Sequence, residues 1–235
     1  MEQITISAKS LGEVALANFC PRCFWIKLKC GFKLPFQKFP GIFSSLDSYQ
    51  KKITNAHFQE YQKLPFWYSH FGDLVKPIKA PIYHSFKIFE DKNCILLRGS
   101  PDEVFRQPDS SYFIVDDKTA KFTGTQDELF PLYEMQLNAY AYIGEHRDLK
   151  PVSGIGLIYY EPFTAIDSGS IEAFMRDTGF AMHFTPKLLK VELDFAKITK
   201  ALENVRRIYE LSSPPEISEG CEDCEKLGNL IGILH

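Results

Sequence analysis

Apolar residues recur at helical spacing over some stretches of the chain and cluster in short runs over others. From Asp194 to Leu211, Phe195, Ile198, Leu202, Val205 and Ile208 fall three or four apart, the stripe of an amphipathic helix. A helix is also predicted over Pro131–Glu145, with Pro131 suited to its first turn. Another is predicted over Leu46–Lys63, where Tyr49, Ile53, Ala56 and Phe58 supply the apolar positions. Ser10-Leu-Gly-Glu13 reads as a capping box opening a short helix toward Asn18. Tyr83–Phe89, Cys94–Phe105 and Tyr112–Asp116 are short, rich in β-branched and aromatic residues and bounded by turn formers, so they predict strands. Gly154–Tyr160 predicts a buried strand and Phe180–Phe184 an edge strand, while Pro65, Pro77 and Pro81 mark a loop region. No repeat or low-complexity segment interrupts this order. It predicts one mixed α/β domain over 1–235 with both termini packed together.

Composition changes this picture little. The chain has 235 residues with 45% hydrophobic and 24% charged, a globular balance that excludes a disordered or fibrous chain. No apolar run reaches the roughly 20 residues of a membrane span, so no membrane partner is expected. The opening MEQITISAKS lacks a basic n-region and an apolar h-region, which points to a cytoplasmic, reducing setting. The net charge is −3 but unevenly spread: Cys20–Leu64 holds eight basic and two acidic residues. Phe24, Trp25, Phe32, Phe36 and Phe39 are interleaved there with Lys27, Lys29, Lys33 and Lys38. Such a segment suits phosphates and unpaired bases, or alternatively forms a solvated face over an aromatic core.

Four of the six cysteines form two C-x-x-C pairs, Cys20/Cys23 and Cys221/Cys224. Two thiolates on a tight turn reach one metal and a second pair completes a tetrahedron, so the pairs predict a staple between the chain ends. Cys30 and Cys94 lack such partners and are expected to be small buried hydrophobes. The other chemistry lies in the central strands. Gly99-Ser-Pro-Asp102 falls inside one strand-like run, and Asp116-Asp117-Lys118 ends another. Alternation puts Asp116 and Lys118 on one side of the strand and Asp117 on the other. Asp102 and Asp116 on paired strands would form a hard oxygen site for Mg²⁺ or Mn²⁺, with an ammonium beside it. Glu90-Asp-Lys92 and Asp148-Leu-Lys150 carry the same triplet without that context. Gln136 and Tyr140 share a helix face, and His57 lies mid-helix, where it could add a nitrogen ligand.

In this order, His57, Gly99-x-x-Asp102, Asp116-x-Lys118 and Gln136-x-x-x-Tyr140 resemble the PD-(D/E)XK nuclease superfamily, in its RecB-like branch. ISAKSLGEVALANFCPRCFW and PPEISEGCEDCEK are similar to the terminal segments of CRISPR-associated RecB-like iron–sulfur exonucleases. The resemblance runs from about Ile6 to Lys226. It implies a restriction-endonuclease-like mixed sheet flanked by helices, with a core over 46–211 and a cysteine staple from 1–40 and 212–226. It implies Asp102 and Asp116 as metal-binding carboxylates, with the Asp117 carbonyl and His57 completing the shell. Lys118 would stabilise the attacking water or the phosphate charge. Gln136 and Tyr140 would stand beside the site, and Cys20, Cys23, Cys221 and Cys224 would hold a [4Fe–4S] cluster. The iron–sulfur members place one cysteine at the N-terminus and three at the C-terminus, whereas here the split is two and two. A structural zinc therefore remains an alternative.

The implied activity is Mg²⁺- or Mn²⁺-dependent hydrolysis of DNA phosphodiesters, on single strands or ends. No GxxxxGK[ST] loop is present, so ATP-driven unwinding would need a helicase or a CRISPR or recombination partner. The competing readings are a catalytically silent DNA-binding or scaffold module and a zinc-stapled protein-interaction module.

Overall fold

The structure, a computed structural model, describes residues 1–34, 40–123, 128–165 and 171–234. Phe36, Lys38 and Phe39 lie outside the described residues. In chain order the elements are β1 (Ile4–Ser7), α1 (Ala8–Gly12), α2 (Pro21–Lys29), α3 (Gly41–Tyr61), β2 (Lys76–Ile78), β3 (Lys87–Glu90), β4 (Ile95–Arg98), β5 (Glu103–Arg106) and β6 (Tyr112–Lys118). There follow α4 (Phe130–Glu145), β7 (Val152–Pro162), α5 (Ile171–Phe174), β8 (Met175–Arg176), β9 (Gly179–Phe180), β10 (Phe184–Val191), α6 (Phe195–Tyr209) and α7 (Glu222–Leu234).

The central sheet is mixed, in the order β10-β7-β6-β5-β2. Only β6 and β7 are parallel, and α4 makes the crossover that a parallel pair needs. A second sheet, β1-β4-β3, and a two-residue hairpin of β8 and β9 complete the strands. Pleating gives the central sheet two different faces. Val104, Ile114, Leu157 and Tyr159 join the main core under α1, α2, α4 and α6. Phe105, Phe113, Val115, Ile158 and Tyr160 join a smaller core with Tyr68 and Phe71 from a 3₁₀ turn at Phe66–Phe71. Helix α4 is buried nearly all round, and α6 turns Ile198, Leu202, Val205 and Ile208 inward from an Asp194 cap, as its periodicity predicts. No described helix is long and apolar enough to cross a membrane.

The structure corrects several expectations. Cys94–Phe105 is not one strand: Gly99–Asp102 breaks it, leaving β4 and β5 in different sheets. Pro101 cannot donate to a ladder, and a Cβ at Gly99 would lie 2.6 Å from the Tyr140 ring, so the backbone presses on α4. The first helix starts three residues early, capped by the Ser7 hydroxyl, which accepts from the Ser10 amide. Helix α3 starts at Gly41 and buries Gln50 and Thr54, while Tyr49 and Ile53 face solvent. Its inner face is polar because it packs over the ionisable groups described next. The Tyr83–Phe89 run yields only β3, and the expected Phe180–Phe184 edge strand runs instead as β10, from Phe184 to Val191. Helix α7 had no sequence counterpart in the expectations, and Cys30 is exposed rather than buried.

Candidate active and metal sites

Strand β6 ends at the centre of the sheet, beside the C-terminal part of β7, where the parallel pair opens toward α4. Ligand sites in α/β sheets favour such carboxyl ends of strands. Asp116 and Lys118 face the α4 side there, and the Lys118 ammonium is ion-paired with Asp116 Oδ2. Gln136 on α4 reaches down to the pair. Its Nε2 donates to the Tyr140 hydroxyl at 2.7 Å and to Asp116 Oδ1 at 3.4 Å. Its Oε1 accepts from Lys118 at 3.5 Å. The Lys118 ammonium also lies 4.3 Å from the centre of the Tyr133 ring.

Asp102 enters from the broken loop before β5. Its Oδ2 accepts from the Asp117 amide at 2.8 Å, tying the loop to β6. Its Oδ1 accepts from Lys51 of α3 at 2.8 Å, and Lys51 also pairs with Asp47. Asp117 points to the opposite face of the sheet from Asp116, on the side of Glu103 and Val115. There Tyr68 donates to Glu103 Oε2 at 2.5 Å, and the Tyr68 and Thr54 hydroxyls lie 2.9 Å apart. Both Asp117 carboxyl oxygens are buried without a hydrogen-bond partner.

The electrostatics follow from burial. Desolvation pushes Asp116 up to about 7; Lys118 opposes this and Asp102 adds to it. Desolvation likewise raises Glu103 to about 7, against the Tyr68 hydrogen bond. Asp117 is pushed well above the carboxylate range by burial, then by Glu103 and Asp102. Burial works against the Lys118 ammonium, but Asp116 outweighs it and holds the pKa up. Lys51 is held up the same way by Asp102. Four carboxyl groups thus share one region with two ammoniums, and full ionisation would leave two negative charges uncompensated. Asp102 and Asp116, which stand beside each other, offer hard oxygens that fit a divalent cation, whereas the orphaned Asp117 oxygens lie on the other face of the sheet.

His57 lies one turn beyond Thr54 on α3, its Nδ1 2.8 Å from the Lys63 carbonyl oxygen. A carbonyl only accepts, so Nδ1 carries the proton and Nε2 keeps the lone pair in the neutral ring. Among the described residues, the four cysteines are the one group of three or more His, Cys, Asp or Glu whose ligand atoms all lie within 4.8 Å of one another. The carboxylates and His57 therefore do not form a closed ligand cage; ammoniums meet the two Asp side chains instead. Lys51, Glu103, Tyr68 and Thr54 are members of the site that the sequence expectations missed. The decoy residue Lys92 pairs with Glu203, away from this cluster.

The cysteine pairs meet from opposite chain ends. Cys20 caps α2 and Cys23 lies in its first turn, while Cys221 precedes α7 and Cys224 lies in its first turn. The Sγ–Sγ distances are 3.6 Å for Cys20–Cys224, 3.5 Å for Cys23–Cys221 and 3.3 Å for Cys23–Cys224. Four thiolates at about 2.3 Å from one zinc stand about 3.8 Å apart, so this set fits a tetrahedral ion. A four-iron cubane carries one thiolate on each iron and would spread the sulfurs further. Burial opposes ionisation of Cys20, but hydrogen bonds from the Cys23 and Ser218 backbone hold its thiol down at about 6. Burial and its neighbouring sulfurs push Cys23 the other way. Cys30 and Cys94 stand outside the cluster; Cys94 Sγ lies 3.4 Å from the Met1 carbonyl oxygen.

Among the basic residues, Lys27 pairs with Glu13 at 2.8 Å and Lys29 lies 4.0 Å from the Tyr209 ring centre. Lys33 is exposed.

No family model matches the chain, and no curated protein matches it. Among solved structures, "Crystal structure of SSO0001" is similar over 91% of this chain and 80% of that one, with 14% identity and a TM-score of 0.43. "Crystal Structure of LHK-Exo in complex with dAMP" is similar over 98% of this chain and 94% of that one, with 13% identity and a TM-score of 0.40.

Proposed function

We propose that this chain is a divalent-cation-dependent nuclease of the RecB-like PD-(D/E)XK kind, hydrolysing DNA phosphodiester bonds on single strands or ends. The observation that carries the reading is the convergence of Asp102, Asp116 and Lys118 at one sheet end, with acid in excess of ammonium. Asp102, Asp116 and the Asp117 carbonyl would hold Mg²⁺ or Mn²⁺, and His57 would offer Nε2. When bound, the ion lowers the pKa of a water and offsets charge on the phosphate. Lys118 and Lys51, paired here with Asp116 and Asp102, would turn their ammoniums toward the scissile phosphate once those carboxylates hold a metal. Gln136, hydrogen-bonded to both Asp116 and Tyr140, would keep the carboxylate aimed as Lys118 moves. Lys27, Lys29 and Lys33 would attract the DNA backbone. A helicase or a CRISPR or recombination protein would be the partner for any unwinding, and the setting would be cytoplasmic.

For the cysteines we infer one metal centre. The sulfur spacing supports a single tetrahedral ion such as zinc, while the resemblance supports [4Fe–4S].

The deciding experiment is digestion of labelled single- and double-stranded DNA with Mg²⁺ or Mn²⁺. Wild type should cut, and Asp116→Ala and Lys118→Ala should each lose at least about a hundredfold in rate. Absence of cutting by metal-replete wild type, or full activity in Lys118→Ala, would overturn the proposal.

A further inference from the structure

We propose that a cleft on the outer face of the β1-β4-β3 sheet is a binding track for the phosphates and bases of an unpaired nucleic-acid strand leading into the catalytic loop. The cleft has a volume of about 650 Å³ and is walled by β1, the end of α2 with the following turn, and Tyr83. That volume lies within the range of specific ligand sites. Arg98, Lys29 and Lys33 bring three cations to it, and Phe32 and Tyr83 bring rings. Its acidic group, Glu2, is already engaged, since its Oε2 accepts from Tyr209 at 2.7 Å.

Arg98 is the informative member. It ends β4 opposite Ser7 of β1 and Lys87 of β3, so its side chain shares the outward face with theirs. Its Nε is buried with no hydrogen-bond partner, and no other described side chain or backbone group pairs with its guanidinium. The covered Nε is out of a ligand's reach, so half-buried Arg98 would meet a phosphate oxygen through the terminal nitrogens of its planar fork. Arg206, by contrast, donates its guanidinium hydrogens to the Glu2, Asn93 and Cys94 carbonyls.

The cleft is joined to the catalytic loop by chain. Gly99 follows Arg98 and packs on Tyr140, and Asp102 comes three residues later. Four residues span at most about 14 Å, so the backbone positions of Arg98 and Asp102 lie within a few nucleotides' length of each other. Rings within a recess accept bases only when those bases are unpaired, which selects a single strand over a duplex. This inference rests on the nuclease reading for the identity of the strand.

The test is binding of a fluorescein-labelled single-stranded oligonucleotide across a salt series, with Ca²⁺ in place of Mg²⁺, on full-length protein. Arg98→Ala should weaken binding about tenfold and lower the salt slope by about one, and Arg98→Lys should recover part of both. Lys33→Ala, in an exposed turn outside the core, should lower the slope in the same way and decides the matter should Arg98→Ala fail to fold. Lys92→Ala, outside the cleft, should bind as wild type does. Unchanged affinity and slope in both cleft variants, or an equal loss in Lys92→Ala, would overturn the track. A wild type that cuts DNA while the cleft variants bind normally sinks the track and leaves the nuclease. Strand binding that falls in the cleft variants of a protein that cuts nothing sinks the nuclease and leaves the track.

Discussion

Asp117 is the most exposed to cost of the residues at the site, because both carboxyl oxygens are buried and neither accepts a hydrogen bond. Its folded pKa lies well above 3.8. A carboxyl raised on folding stays neutral at low pH, and the metal-free fold loses stability as pH climbs from about 4 toward the folded value. Asp117→Asn should therefore raise the Tm of the metal-free protein at about pH 8 by a few °C and by less near pH 5, worth about 1–3 kcal/mol. A thermal scan at both values checks the sign; a drop at pH 8 would show that the acid has a cation partner. Asp116 makes a second pH prediction, because its proton competes with a cation for the same oxygens and its pKa stands at about 7. Mn²⁺ affinity should rise up to about tenfold per unit below pH 7 and level off above it. Mn²⁺ titration followed by electron paramagnetic resonance reads this, and a flat profile would exclude Asp116 as a ligand.

Helix α3 and strand β6 differ in how much of their role their own residues reveal. Asp116, Asp117 and Lys118 follow an apolar strand, so alternation alone separates their faces. The polar face of α3 has no such local signature. Gln50, Lys51 and Thr54 look like surface positions in a helix carrying Tyr49 and Ile53, yet they are the ones that turn inward, to Thr119, Asp102 and Tyr68. That preference comes from the charges of β5 and β6, which are distant in sequence. Lys51, Glu103 and Tyr68 stayed hidden for the same reason: their partners lie 51 and 35 residues away. The break between β4 and β5 was legible in its residues, Gly99 and Pro101, but was masked by the apolar runs on either side. Its packing gives a prediction. Gly99→Ala places a methyl 2.6 Å from the Tyr140 ring, which is held by the Gln136 hydrogen bond. Overpacking of this kind costs about 1–3 kcal/mol, and the displaced Tyr140 and Gln136 should loosen Asp116. A lower Tm together with weaker Mn²⁺ binding is expected; normal values for both would show that Tyr140 yields freely.

Across the whole molecule, the chain ends meet at α2, α6 and α7, and the cysteines are not their sole tie. Arg22 Nε donates to the Pro215 carbonyl at 2.8 Å, Trp25 Nε1 to Leu211 at 3.2 Å and the Ser218 hydroxyl to Phe19 at 3.3 Å. Arg206 adds the Glu2 carbonyl at 3.0 Å. The mixed α/β fold and the closure of the termini were legible because periodicity and paired C-x-x-C motifs are both local signals repeated at long range. Helix α7 was not: its apolar residues Leu230, Ile231 and Ile233 remain exposed, and the acid that Glu222, Asp223 and Glu225 put in its first turn, as a helix start favours, was read only as part of the cysteine segment. A metal joining Cys20, Cys23, Cys221 and Cys224 would close a loop of almost 200 residues, so its binding energy should appear as local folding energy. The hydrogen bonds through Arg206 should hold α6 and β1 when the metal leaves, whereas α7 rests on α2 and the cysteines. Chelation, or Cys23→Ser, should thus release amide protection across 20–30 and 218–234 while β5, β6 and β7 stay protected. Hydrogen exchange with mass spectrometry resolves those segments. Cys30→Ser should keep both the metal and the protection. Metal analysis of anaerobically purified protein then names the occupant: one zinc per chain agrees with sulfurs 3.3–3.6 Å apart, and four irons with a brown colour would mean that the sulfurs spread to admit a cluster. Neither metal in wild type, or loss of metal in Cys30→Ser and not in Cys23→Ser, would refute this ligand set.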